Sequence, residues 1–213
     1  MTESRIKFDF EARYFKEGVL SKNTKKLIFV LHGHGQLAQY FVKGFTPLVN
    51  EGTCIIAPEG LNRYYLSGFT GRVGATWMTK EDRLTDISNY LNFLDSVYND
   101  IKGQLNSDIS ITILGFSQGA ATASRWAATA KFKFKNLILW AGIFPPDMNF
   151  EDAASKFEDK SITYVYGTED QYINEKRILE MNELSKKLNV NPKVIRFRGP
   201  HEINQSVFDQ LSL

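Results

Sequence analysis

The residues best suited to chemistry stand together in Gly115-Phe116-Ser117-Gln118-Gly119. A serine hydroxyl is a weak nucleophile until a base takes its proton and donors await the negative charge that follows. Glycine two positions before and two after Ser117 suits a sharp turn in which any side chain would strike neighbouring backbone. The apolar run Ile109 to Leu114 precedes this pentapeptide and the small-residue helix Ala120 to Ala130 follows it. The pattern is therefore strand, turn, helix. It exposes the hydroxyl at a helix N-terminus, where unpaired amides and the helix dipole favour an anion. The chemistry implied is acyl transfer through a serine ester. The alternative is a glycine-bordered turn without reactivity.

Such a serine needs a base and a carboxylate that holds the base in one tautomer, and these follow along the chain as acid, then histidine. His201 is the one histidine after Ser117, in Arg198-Gly199-Pro200-His201-Glu202, between a last strand pattern and a short final helix. For the acid, Gly167-Thr168-Glu169-Asp170 follows the strand pattern Ile162 to Tyr166, and Asp170 is preferred to Glu169. Asp147 and Asp152 also follow a strand end, but Phe144-Pro145-Pro146-Asp147 reads as a connection leading into a surface helix. The donors for the developing oxyanion are expected from the amide of His34, in Leu31-His32-Gly33-His34-Gly35-Gln36, and the amide of Gln118. His32, His34 and the sole cysteine, Cys54, fit no zinc-ligand spacing, so neither metal nor cofactor is expected.

These groups require a scaffold. Leu27 to Leu31, Cys54 to Ala57, Ile109 to Leu114 and Leu137 to Ala141 are continuously apolar, as suits parallel strands covered on both faces. Ile162 to Tyr166 and Lys193 to Phe197 are further strands. The first 15 residues alternate, with Ile6, Phe8, Phe10 and Ala12 against Arg5, Lys7, Asp9, Glu11 and Arg13, which predicts a half-buried antiparallel edge strand at the N-terminus. Leu84, Ile87, Leu91, Leu94, Tyr98 and Ile101 recur at steps of three and four, and Thr79 with Asp82 resembles a capping box starting that helix near Lys80. Ile178, Met181, Leu184 and Leu188 mark a second helix, closed before Pro192. Alternating strands and helices predict a doubly wound α/β sheet with its functional groups at the strands' carboxyl ends.

A chain of 213 residues suits one such domain, spanning 1–213. With 26 Lys and Arg against 24 Asp and Glu, no net field gathers nucleic acid. No stretch approaches the roughly 20 apolar residues of a membrane span, and the N-terminus lacks a secretory pattern. The expectation is a cytoplasmic protein with a buried, inert Cys54 thiol.

The motifs Leu31-His32-Gly33-His34-Gly35, Gly115-Phe116-Ser117-Gln118-Gly119-Ala120, Gly167-Thr168-Glu169-Asp170 and Gly199-Pro200-His201 resemble, in order, those of the phospholipase/carboxylesterase family, over about residues 25 to 213. That resemblance implies an α/β-hydrolase fold, mostly parallel with helices on both faces. It also implies a Ser117, Asp170, His201 triad with oxyanion donors at His34 and Gln118. His34 departs from the small apolar residue of that family and places an imidazole beside the acyl site. The family's substrate loops align with Arg63, Tyr64, Tyr65, Arg72 and Trp77, an aromatic and cationic group suited to an aromatic or carboxylated substrate, and an exposed aromatic loop there is compatible with a homodimer. The leading expectation is a serine carboxylesterase acting on a small ester or thioester. A non-catalytic ligand receptor on the same fold is the alternative.

Overall fold

The computed structural model describes residues 1–211 and 213. Seven strands form one sheet: β1 (Tyr14–Glu17), β2 (Lys26–Leu31), β3 (Thr53–Pro58), β6 (Ser110–Phe116), β7 (Asn136–Trp140), β8 (Ser161–Gly167) and β9 (Lys193–Phe197), with β4 (Asn62–Tyr65) and β5 (Val73–Thr76) paired as a separate hairpin. The order across the sheet is β1-β3-β2-β6-β7-β8-β9. Only β1 runs antiparallel to its neighbour, and every other pair is parallel. The four continuously apolar runs are the central strands β2, β3, β6 and β7, because a strand covered on both faces has no solvent side on which to alternate.

The two faces are covered unequally. Leu27, Phe29 and Leu31 point into a core shared with α2 (Arg83–Ile101), α3 (Gln118–Thr129), α4 (Phe150–Phe157) and α5 (Glu175–Lys187). Ile28 and Val30 point the other way, towards α1 (Ala38–Phe41) and the short 3-10 segments at 42–48 and 205–210. Helices as short as α1 and α4 do not persist alone in water, so packing holds them. Phe41 and Phe157 are both buried, and each such side chain contributes roughly 1.5–3 kcal/mol. Cys54 is fully buried in β3, and burial raises its thiol pKa. Among the described residues no helix is long and apolar enough to cross a membrane.

Three expectations need correction. The antiparallel edge strand exists, but of the first 15 residues only Tyr14 and Phe15 belong to it: it begins at Tyr14, while Ile6, Phe8 and Phe10 are 88%, 76% and 54% exposed. The reason is lack of a partner. Tyr14 pairs with Pro58 at the end of β3, and after one further bond, Glu59 N–H to Arg13 O, the partner chain turns away into the hairpin. The predicted capping box also fails, and α2 starts at Arg83, three residues beyond Lys80. The Thr79 hydroxyl accepts from Glu81 N–H two residues on, a local turn that competes with the cap. Finally, Arg63, Tyr64, Tyr65 and Arg72, where the resemblance implies substrate loops, lie in the β4–β5 hairpin.

Candidate active site

The sheet order creates the crevice. From β2 the chain moves outward to β3 and later returns to β6 on the opposite side of β2. Connections leaving the carboxyl ends of β2 and β6 therefore diverge, and a ligand space opens between them. Residues 32–36 leave β2 on one side of this space, and Ser117 leaves β6 on the other.

Ser117 caps α3 with φ 54° and ψ −118°. For a residue with a side chain such a backbone costs on the order of 1–3 kcal/mol and survives only where the surroundings enforce it. They do: Ser117 N–H donates to Trp140 O on β7 at 2.8 Å, and Ala120 N–H donates to Ser117 O at 3.0 Å. A Cβ added to Gly115 would lie 2.1 Å from Gly119 O, and one added to Gly119 would lie 2.2 Å from Leu31 O. Both glycines are thus required because β6, the turn and the start of α3 cross at backbone contact.

His201 lies beyond β9, on a loop anchored by Trp140 Nε1, which donates to Glu202 O at 2.8 Å. Glu169 N–H donates to Gly199 O at 3.0 Å, joining this loop to the one after β8. There Asp170 Oδ2 lies 2.7 Å from His201 Nδ1, and Tyr172 N–H donates to Oδ1 at 2.9 Å. The Asp170 side chain is wholly buried, and that of His201 is 20% exposed. A carboxylate at Nδ1 favours the tautomer with the proton on that nitrogen, which leaves Nε2 bare to accept one. The imidazole sits between Tyr172, at 4.8 Å between centroids, and Phe116, at 4.9 Å, the residue that precedes Ser117. The Ser117 hydroxyl forms no hydrogen bond with His201 among the described residues, and the contact between nucleophile and base is one that tightens in the Michaelis complex.

The competing carboxylates are otherwise engaged. Asp147 accepts from Arg83 at 2.8 Å and from Arg125 at 2.7 Å; against the opposing pull of burial, these bonds hold its pKa below the usual carboxylate value. Asp152 sits in the first turn of α4, its carboxylate accepting from Asn149 Nδ2, and Glu169 pairs with exposed Arg198.

The amides of His34 and Gln118 have no acceptor among the described residues, whereas Gly33 N–H donates to Gln36 Oε1 and Gly35 N–H to Ala75 O. They are unspent donors, one on each side of the crevice. His32 is no ligand: its ring is buried, Nε2 accepts from Gly60 N–H at 2.9 Å, and Nδ1 contacts Gly33 O at 2.8 Å. Burial pushes its pKa down to about 4, so the ring is neutral. No group of three or more metal-ligating side chains occurs among the described residues.

The hairpin separates the residues expected to meet substrate. Tyr64 reaches the His34 ring, but Arg63, one residue earlier and so on the opposite face, lies 4.0 Å from Glu59 and lines a small hollow with Phe10 and Leu61. Tyr65 and Arg72 are exposed near the hairpin tip. Trp77 is corrected: it is 1% exposed, stacks on His32 and donates from Nε1 to His32 O, which leaves no open face for a substrate. Sequence reasoning missed Tyr172 and Thr76. The position of Tyr172, two residues after Asp170, was a signal for the first; none existed for the second, whose side-chain partners His34 and Gln118 are distant in the chain.

Fold and site together define an α/β-hydrolase. The chain belongs to the phospholipase/carboxylesterase family, whose sequence profile matches residues 19–212, and its reaction class is ester hydrolysis. Among solved structures it is similar to acyl-protein thioesterase 2 of Zea mays, at 18% identity and TM-score 0.71 over 94% of this chain and 96% of that one. A phospholipase/carboxylesterase from Dyadobacter fermentans gives 19% and 0.67 over 96% of each chain. The Bacillus cereus carboxylesterase gives 15% and 0.64 over 93% of this chain and 91% of that one. No curated protein sequence matches it.

Proposed function

We propose that the protein, acting as one domain over residues 1–213, is a serine esterase for small carboxylic esters or thioesters, with Ser117 as nucleophile, His201 as base and Asp170 as the group that orients the base. The observation carrying this reading is the 2.7 Å contact between buried Asp170 and His201 Nδ1, with the same imidazole packed against the residue before the strained Ser117. His201 Nε2 takes the Ser117 proton as Oγ attacks the acyl carbon. The His34 and Gln118 amides donate to the resulting oxyanion, each worth roughly 3–4 kcal/mol in the transition state. The proton then passes from Nε2 to the departing alcohol or thiol. Water repeats the sequence on the acyl-enzyme and frees the acid, while Asp170 stays ionised throughout.

The exposed His34 ring, held against Tyr64 at 5.3 Å between centroids, narrows the crevice mouth and favours short acyl groups. A series of p-nitrophenyl esters from short to long, with a thioester of matched acyl length, measures this directly, and the expected outcome is a decline in kcat/KM with chain length. Ser117→Ala should lower turnover by about 10⁶-fold, the scale seen when such nucleophiles are removed, and abolish labelling by a fluorophosphonate. Undiminished hydrolysis by the purified variant would refute the mechanism.

A further inference from the structure

Thr76 ends β5, and its side chain is buried. Its hydroxyl lies 2.9 Å from Met78 O, 2.9 Å from Gln118 Oε1 and 3.1 Å from His34 Nδ1. The Gln118 amide has a fixed orientation, because Trp77 N–H donates to Oε1 at 3.1 Å and Nε2 donates to Met78 O at 2.8 Å. Two of the three neighbours of Thr76 Oγ1 are therefore acceptors only, and its single proton is committed to them. The contact with His34 then requires the proton on Nδ1. That leaves Nε2 bare, and it accepts the Tyr64 hydroxyl at 2.5 Å. The donors run one way, from Tyr64 to His34 to Thr76, whose one proton is shared between Gln118 Oε1 and Met78 O.

This row of hydrogen bonds joins the side chains of the two residues whose main-chain amides were left unspent. We propose that Thr76 and Tyr64 are positioning residues of the oxyanion hole. Thr76 ties together the side chains of His34 and Gln118, while Tyr64 holds the His34 tautomer that makes the tie. The two amides sit on separate connections, after β2 and after β6, and a donor contributes fully only when it meets the oxyanion at about 2.7–3.1 Å. A shared hydroxyl between them fixes the spacing that neither connection sets alone. The inference rests on the acyl-transfer reading above, and neither residue is required to touch the substrate.

Steady-state hydrolysis of p-nitrophenyl butyrate, with inhibition by a trifluoromethyl ketone that forms a tetrahedral oxyanion adduct, tests it. Thr76→Val keeps the shape and removes the hydroxyl. It should lower kcat by about 10- to 100-fold with KM within about twofold, and weaken the ketone in step with kcat/KM. Thr76→Ser, which restores the hydroxyl, should recover kcat to within about threefold of the parent. Tyr64→Phe, on the exposed hairpin, should lower kcat by about three- to tenfold without changing the melting temperature, and it decides the matter should Thr76→Val fail to fold. The proposal is overturned if the variants that fold keep kcat within about twofold of the parent, or if Thr76→Ser is as impaired as Thr76→Val. With hydrolysis abolished by Ser117→Ala, either result rejects the positioning role alone; hydrolysis that survives Ser117→Ala rejects both readings.

Discussion

His32 and His34 stand two residues apart in one motif and occupy opposite physical situations. His34 is exposed at the crevice and hydrogen-bonded through both ring nitrogens to other side chains. His32 is sealed in the core with its nitrogens bonded to backbone, and burial depresses its pKa from 6.5 to about 4. That difference is a stability statement. Between these two pH values the unfolded chain binds a proton at residue 32 and the folded chain does not, so stability is full above pH 6.5 and falls as pH drops towards 4. The loss attributable to this group is about 3 kcal/mol. Urea unfolding of the parent across that interval, compared with His32→Asn, should show the variant's pH dependence flattened by about that amount; equal slopes would refute the assignment. The motif's type and spacing suggested chemistry for this loop, but only burial tells the structural histidine from the one at the site.

At the scale of elements, the turn carrying Ser117 was the most legible feature, because its geometry is settled within five residues. Gly115 and Gly119 announce a turn that no side chain fits, and the structure gives the reason in the 2.1 Å and 2.2 Å approaches of a hypothetical Cβ. Gly119→Ala should therefore push α3 away from the end of β2. A destabilisation of roughly 1–3 kcal/mol is expected from such overpacking, together with loss of esterase activity as the Gln118 amide shifts; thermal denaturation and an ester assay measure the two effects separately. The β4–β5 hairpin was not legible. Its residues carry no continuous apolar run, since it lies outside the main sheet and buries only one end, against the loop at Gly35 and Gln36. The start of α2 failed for a related reason: Thr79 offered a cap, and a local turn took its hydroxyl.

For the molecule as a whole, burial on both faces of the sheet rather than local propensity holds the structure, and the N-terminal arm stands outside that arrangement. Residues 1 to 13 contain no strand, their apolar side chains are exposed, and Arg5 makes only exposed contacts with Glu3, Asp82 and Thr85. Exposed ion pairs add little to stability. Removing residues 1 to 11, which keeps Arg13 on buried Glu59, should leave the melting temperature within about 3 °C of the parent, as calorimetry would record. A larger fall would mean that the arm contributes packing beyond these contacts.

The central strands, the helices that pack on them and the turn bearing Ser117 are legible in the chain alone, because hydrophobic periodicity and glycine spacing act over a few residues. The chain also supplied the candidates for acid and base, in order along its length. Contacts between distant segments are what bring Asp170 to His201 while two arginines hold Asp147, and turn Trp77 inward while Tyr64 turns towards His34. The alternation of residues 5 to 13 misled for the same reason. A period of two is a local property, whereas a strand needs a partner, and which side chains meet is fixed by sheet order and by contacts between distant segments.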